Sequence, residues 1–300
     1  MKITGKTKVV GIFGDPVAHS LSPAMHNAAF DALGIDMVYV PFHVRPDKGG
    51  LEKAVYGVRA MNIAGVNITI PHKEKVMEFL DEVNPVAGVI GAVNTVVNDD
   101  GRLVGYNTDA RGYSESLLED AGLGFAGKNI IIIGAGGGAR SVYYTCLFDN
   151  PKSVTIANRT IKRAETLAQE FRLKFKKVRI NVVPLANEQI KEYALSADLL
   201  INTTSVGMGV APLAGVAPPA MDKGTLDIDV SALPPHAVVS DIVYAPLETD
   251  LIRRAKARGL KTHTGLSMLV HQGAVAFELW TGSKAPVEIM RKAAIEALNK

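Results

Sequence analysis

Residues 130–133 are four consecutive isoleucines, and they run directly into Gly134-Ala135-Gly136-Gly137-Gly138-Ala139. No other stretch limits the fold so tightly, because a buried strand entering a glycine loop is how a dinucleotide pyrophosphate is held. Gly134 and Gly136 allow a tight turn and a close backbone approach to a phosphate, and the small Ala139 lets the following helix pack against the sheet. The N-terminus of that helix then presents unpaired N–H groups to the anion. More than a hundred residues precede this unit, so a second domain is expected there, and it is the natural place for a substrate.

Three hundred residues, 47% hydrophobic and 21% charged, suffice for a large core and suit two domains better than one. The 33 basic and 30 acidic residues are scattered, which leaves no extended field to attract nucleic acid or an anionic membrane. The densest basic cluster, Lys174, Lys176, Lys177 and Arg179, reads as the solvated end of a helix. Cys146 is the only cysteine, which excludes an intrachain disulfide and a cysteine-built metal site and fits a reducing compartment. It is expected as packing on the helix after the glycine loop. Residues 1–14 hold an apolar run too short for a signal peptide, and no stretch approaches the roughly 18 apolar residues of a membrane span. A cytoplasmic protein without nucleic-acid or membrane partners is expected.

Before the glycine loop, apolar runs at 9–13, 37–44 and 64–70 read as strands, and the amphipathic segments 23–33, 51–61 and 73–80 as helices, the last started by Pro71. That alternation predicts a mainly parallel α/β sheet. Segments 92–97 and 103–106 read as a hairpin closed through Asn98-Asp99-Asp100-Gly101, the one antiparallel feature of this half. A helix over 110–121 and a joint at 122–127 follow. The second half continues with strands at 153–157, 179–184, 199–202 and 237–241 and helices at 161–171 and 188–196. This is a doubly wound order, in which ligands lie beyond the carboxyl ends of the strands. The loop Asn202-Thr203-Thr204-Ser205-Val206-Gly207 leaves such an end, and its register points to the cofactor more than to an ordinary polar turn.

Sheets that bind NAD usually carry an acidic residue about 20 residues beyond the glycine loop, where it holds the ribose hydroxyls. Here Ala157-Asn158-Arg159-Thr160 stands in that place. Arg159 offers a planar cationic fork for a phosphate, so NADP is favoured, with NAD as the lesser alternative. Lys162 and Arg163 are nearby cations that either assist or face water.

In the first half, Gly14-Asp15-Pro16-Val17-Ala18-His19-Ser20-Leu21-Ser22-Pro23 is a polar loop between a strand and a helix. Ser20 and Ser22 are suited to hold a carboxylate as paired donors, while Ser22 before Pro23 equally fits an ordinary N-cap. Asn67-Ile68-Thr69-Ile70-Pro71-His72-Lys73 delivers a lysine into a helix start, an unfavourable place for a cation that calls for a reason. Lys73 and Asp109 both lie just past strand ends. Paired there, they could move a proton to or from an alcohol while the ammonium steadies an alkoxide.

These segments, with Asn94-Thr95, Asn107-Thr108-Asp109, Asn158-Arg159-Thr160, Asp241-Ile242-Val243-Tyr244 and Gly265-Leu266-Ser267-Met268-Leu269-Val270-His271-Gln272-Gly273, occur in order from about residue 8 to the C-terminus. In that order the chain resembles the shikimate dehydrogenase family. The resemblance implies an α/β protein of two domains joined by an interdomain cleft. One is an N-terminal, mainly parallel substrate domain, 1–110 plus 265–300, and the other a Rossmann-like NADP-binding domain, 111–264. The helices at 266–280 and 287–298 would return to the first domain.

The activity implied is metal-free, reversible, NADPH-dependent reduction of 3-dehydroshikimate to shikimate in aromatic amino-acid biosynthesis. Ser20 and Ser22 would anchor the substrate carboxylate, Thr69, Asn94 and Gln272 its ring hydroxyls, and Lys73 and Asp109 would be the catalytic pair. Tyr244 would sit over the substrate. Gly134, Ala135, Gly136, Gly137, Gly138 and Ala139 would cradle the pyrophosphate, Asn158, Arg159 and Thr160 the 2′-phosphate. Thr203, Ser205 and Val206 would line the cofactor site, and Gly265 and Met268 would approach the nicotinamide.

Two departures keep other activities open. Ser141-Val142-Tyr143-Tyr144-Thr145-Cys146 is bulkier than the run usual after this glycine loop, and Asp99-Asp100-Gly101 with Ser20-Leu21-Ser22 is also similar to the broader quinate/shikimate dehydrogenase branch, which uses NAD(P). A non-catalytic NADP-binding redox sensor is the alternative from another class; it would lack a proton-handling pair. Assembly as a homodimer is left open.

Overall fold

The computed structural model describes residues 2–209, 226 and 228–299. The chain divides into two compact units, Met1–Gly112 with Val270–Lys300, and Tyr113–Leu269. The first contains strands β1 (Lys8–Gly14), β2 (Met37–His43), β3 (Gly65–Ile68), β4 (Glu82–Val83), β5 (Thr95–Asp99) and β6 (Arg102–Tyr106), with helices α1 (Ser22–Leu33), α2 (Gly50–Ala60) and α3 (Pro85–Ile90). Its sheet has the order β2-β1-β3-β5-β6-β4. β1 runs parallel to β2 and β3, and β4 parallel to β6, whereas β5 is antiparallel to both β3 and β6. The antiparallel element is therefore a strand in the middle of the sheet and not only an attached hairpin. Its turn has positive φ at both Asp100 and Gly101, as the Asp-Gly pair predicts.

At the edge of this sheet, Asn27 of α1 substitutes for a missing strand. Its side-chain amide donates to the Tyr39 carbonyl at 2.9 Å and accepts from the Tyr39 N–H at 2.8 Å, so α1 is fixed to β2 and the edge is blunted. The segment 73–80, expected as an α-helix, is instead a single 3₁₀ turn over Lys75–Phe79. Lys73 lies ahead of it. Its carbonyl is taken by the Val93 N–H at 2.8 Å, so it is not available to propagate an α-helix.

Helix α4 (Asp109–Ala121) carries the chain into the second unit, where β7 (Asn129–Ile133), β8 (Ser153–Asn158), β9 (Arg179–Pro184), β10 (Leu199–Asn202), β11 (Val238–Asp241) and β12 (Lys261–Thr264) form a sheet in the order β12-β11-β10-β7-β8-β9. All its pairings are parallel. Helices α5 (Gly137–Phe148), α6 (Ile161–Lys174), α7 (Asn187–Ala194) and α8 (Asp250–Ala257) cover it. The four isoleucines divide by parity, as a pleated strand requires. Ile130 and Ile132 pack with Val142, Cys146 and Leu167, and Ile131 and Ile133 with Ile190, Val239 and Leu251. Cys146 is thus packing, and burial pushes its thiol well up.

α9 (Gly265–Thr281) leads back to the first unit, which α10 (Val287–Leu298) completes. Both divisions fall inside helices, 112/113 in α4 and 269/270 in α9, within a few residues of 110/111 and 264/265. The glycines at 122–127 act instead as local punctuation: Gly122 and Gly127 both have positive φ, one ending α4 and the other turning the chain into β7. Among the described residues no helix is long and apolar enough to cross a membrane.

Candidate active site

Within the first unit, Lys73 Nζ donates to Asp109 Oδ2 at 2.6 Å. The pair is mostly out of water, with side chains 17% and 6% exposed. Asn94 Nδ2 donates to the other carboxylate oxygen at 2.8 Å and lies 3.3 Å from Gln272 Oε1. The Thr108 N–H donates to Asn94 Oδ1 at 2.7 Å, which fixes which way the Asn94 amide points. Charge pairing supplies the reason for a lysine at this turn. A buried carboxylate with an ammonium and an amide on its two oxygens is compensated, and so is the ammonium.

Gln272 reaches this place because Gly112 has no side chain. A Cβ there would stand 2.5 Å from the Gln272 backbone nitrogen, so glycine alone lets α4 and α9 approach so closely. Thr69 sits beside the serine loop in the same way. A Cβ on Gly14 would lie 2.4 Å from Thr69 Cγ2, and the Asp15 N–H donates to the Ile70 carbonyl at 2.9 Å. Ser20 and Ser22 are joined through the Ser22 N–H, 3.3 Å from Ser20 Oγ. Ser22 is not the N-cap: that position is Leu21, and the buried Ser22 opens α1. The neighbouring His72 is buried, and its Nε2 lies 2.6 Å from the Val44 carbonyl, which makes that nitrogen the donor.

The second unit collects the other candidates at the carboxyl edge of its sheet. Gly134 has φ +114°, and a Cβ there would strike Thr203 Oγ1 at 2.5 Å. Gly136 is extended with open space beside it, and α5 begins at Gly137, where the first N–H groups have no carbonyl within the helix to meet. Ala135 and Ala139 pack toward the core. Asn158 Nδ2 donates to the Thr160 carbonyl at 2.8 Å and shapes the turn that carries the exposed Arg159. The loop has no carboxylate to repel a phosphate. A glycine cradle at a helix N-terminus with a cation at the next strand end fits a phosphorylated dinucleotide.

The loops after β10 and β11 are tied to one another by Asn202 and Asp241, a linking role that the sequence alone does not give them. Asn202 Nδ2 donates to Asp241 Oδ1 at 2.9 Å, and Asn202 Oδ1 accepts from both the N–H and the hydroxyl of Thr204. Asp241 also accepts from the Val243 N–H and from Thr249 Oγ1. This holds the Thr203, Ser205 and Val206 loop against the Tyr244 loop. Burial pushes the Asp241 carboxyl up to about 6 and the Tyr244 phenol up to about 12. Gly265 opens α9 where a Cβ would meet the Ile242 carbonyl at 2.1 Å, and Met268 is buried in the core one turn later. The available signal was a polar residue ending an otherwise apolar strand, Asn202 in Leu-Leu-Ile-Asn and Asp241 in Val-Val-Ser-Asp.

Comparison with known proteins gives the same division of labour. Residues 12–96 match the shikimate dehydrogenase substrate binding domain, 116–230 the shikimate / quinate 5-dehydrogenase model and 265–295 the shikimate 5'-dehydrogenase C-terminal domain. The NADP(+) shikimate dehydrogenase of Desulforamulus reducens is 45% identical over 290 residues, which is 97% of this chain and 95% of that protein. The chain belongs to the shikimate dehydrogenase family. A family member crystallised with NADP+ superimposes with a TM-score of 0.87 at 41% identity, covering 100% of this chain and 98% of that one. The Thermus thermophilus enzyme, solved in complex with NADP(H) and shikimate, gives 0.82 at 38% identity, with 97% and 99% covered.

Proposed function

We infer that this protein catalyses the reversible, NADPH-dependent reduction of 3-dehydroshikimate to shikimate, a step toward the aromatic amino acids. The observation that carries this is the buried Lys73–Asp109 pair at 2.6 Å, with Asn94 and Gln272 beside it, in the unit that matches the family's substrate-binding model. A binding protein that turns nothing over has no use for such a pair.

Ser20 and Ser22 hold the substrate carboxylate near the start of α1. Thr69, Asn94 and Gln272 hold the ring hydroxyls, and Tyr244 covers the ring. Gly134 to Ala139 receive the pyrophosphate, Asn158, Arg159 and Thr160 the 2′-phosphate, and Thr203, Ser205, Val206, Gly265 and Met268 line the rest of the NADP site. When bound, the reduced nicotinamide supplies the two electrons and one hydrogen that the carbonyl carbon gains. As that carbon is reduced, the Lys73 ammonium donates a hydrogen bond to the carbonyl oxygen, steadies the alkoxide and passes it a proton, and Asp109 keeps the ammonium aimed and compensated. The reverse reaction returns the proton by the same pair.

Quinate is the second substrate to consider. The matched model spans shikimate and quinate enzymes, and quinate differs by water added across the ring double bond, so the same carboxylate and hydroxyl contacts nearly serve it. The deciding experiment compares kcat/KM for shikimate and quinate with NADP+ and with NAD+. Shikimate with NADP+ is expected to be the best combination; a preference for quinate with NAD+ overturns the assignment. We place the enzyme in the cytoplasm, in keeping with one unpaired, buried cysteine, and the notion of a homodimer is checked by sedimentation.

A further inference from the structure

A file of buried hydrogen bonds runs from β2 to the carboxylate of Asp109, and the directions of its amide and phenol members can be assigned. Asn67 Nδ2 lies 3.2 Å from the Asn94 backbone carbonyl, which can only accept, so this atom is the amide nitrogen and Asn67 Oδ1 must face Tyr39. The Tyr39 hydroxyl, 2.8 Å from Asn67 Oδ1, is therefore the donor. Asn67 Nδ2 also donates to Thr95 Oγ1 at 3.0 Å, and the Thr95 hydroxyl lies 3.2 Å from Asn94 Oδ1 and 3.4 Å from Thr108 Oγ1, so it reaches Asn94 Oδ1 directly or through the Thr108 hydroxyl, itself 3.2 Å from that oxygen. Asn94 Nδ2 ends the file on Asp109 Oδ1. Tyr39, Asn67, Asn94, Thr95 and Asp109 are all at least 95% buried. The Tyr39, Asn67 and Asn94 donors thus follow one another toward the carboxylate, and buried dipoles aligned in this way polarise one another.

The first member is itself immobilised. The Tyr39 ring stacks on His26, centroids 4.5 Å apart and planes within 3°. His26 is fully buried, neither ring nitrogen has a hydrogen-bond partner, and burial pushes it down to about 3, so it serves as a neutral aromatic wall. Trp280, 6.0 Å from the Tyr39 ring, bonds the Val96 carbonyl and lies outside the file. An asparagine cannot pass a proton along, so the file is an electrostatic prop and not a proton wire.

We propose that Tyr39, acting through Asn67, Thr95 and Asn94, is a positioning residue that orients Asn94 and supports the ionised Asp109 during proton transfer. The inference rests on the functional reading above. Tyr39→Phe keeps the ring and removes only the first donor. It is expected to lower kcat for shikimate oxidation by about 3–10-fold with KM changed less than about 2-fold. The solvent deuterium isotope effect on kcat should rise. Asn67→Ala, which strips the donor from Thr95 and from the Asn94 carbonyl, should lower kcat by about 30-fold or more. Trp280→Phe loses a bond of the same aromatic box and should lower Tm while leaving kcat and the isotope effect unchanged. A folded Tyr39→Phe enzyme with the kcat and isotope effect of the wild type overturns the inference. So does a Trp280→Phe enzyme that loses kcat and raises the isotope effect as Tyr39→Phe does. A wild-type protein that does not turn over shikimate overturns the functional reading instead.

Discussion

Asp109 and Asp241 make an instructive pair. Each is nearly fully buried, and each stands at or just past the carboxyl end of a strand in its own sheet. Asp109 faces the Lys73 ammonium and a neutral amide. Asp241 is met by neutral donors alone, from Asn202, Val243 and Thr249. Without a cation those donors do not offset desolvation, and the Asp241 carboxyl rises from its ordinary 3.8 to about 6. A buried carboxylate beside an ammonium is thus compensated by charge, whereas one that ties two loops together is held by neutral bonds alone.

The largest expected effect breaks the first arrangement. Lys73→Ala should reduce kcat by about 10²–10⁴-fold, the usual worth of general acid–base help, while shikimate affinity falls much less. Steady-state kinetics with direct binding measurements test this, and equal losses in affinity and in kcat/KM would sink the catalytic role of Lys73.

Asp241→Asn sharpens the contrast on the other side. Because burial raises the folded-state pKa, the folded protein holds this proton more tightly than the unfolded chain does. Its contribution to stability is present below about pH 4, is lost as pH rises to about 6, and stays lost above. The stability of Asp241→Asn relative to wild type should therefore grow by up to about 3 kcal/mol between pH 4 and pH 7. Urea unfolding across that range is the measurement, and a difference independent of pH would contradict the burial argument.

The smallest effect concerns a cation in solvent. Arg159→Ala should weaken NADP+ by about 10-fold, near 1.4 kcal/mol, and leave NAD+ nearly untouched, since an exposed ion–phosphate contact is partly screened. Equal losses for both cofactors would remove Arg159 from the 2′-phosphate site.

Much of this was legible before any coordinates. The isoleucine strand, the glycine loop, the strand and helix alternation and the Asp100-Gly101 turn all follow from local chemistry. β4 was missed because two residues carry no periodicity, and β12, Lys-Thr-His-Thr, because it lacks an apolar face to read. α3 and α8 did leave signals: Asn84 ahead of Pro85, and Thr249 capping a helix with Asp250 first and Arg254 and Lys256 last. In the site, Lys73, Asp109, Asn94 and Gln272 could be named in advance. The supports Asn67, Tyr39 and Thr108 could not, since nothing local says which strand residue will be buried against which.

By itself the sequence determined the period of the longer elements, the two sheets and the kind of chemistry their strand ends can offer, because these depend on neighbours within a few positions. Only the tertiary structure decided that Lys73 sits in a turn and not in a helix, that Gly112 admits Gln272, and that four buried side chains form a file ending on Asp109. Those outcomes rest on close approaches between segments far apart in sequence. There, steric fit and the need to pair every buried polar group override local preference.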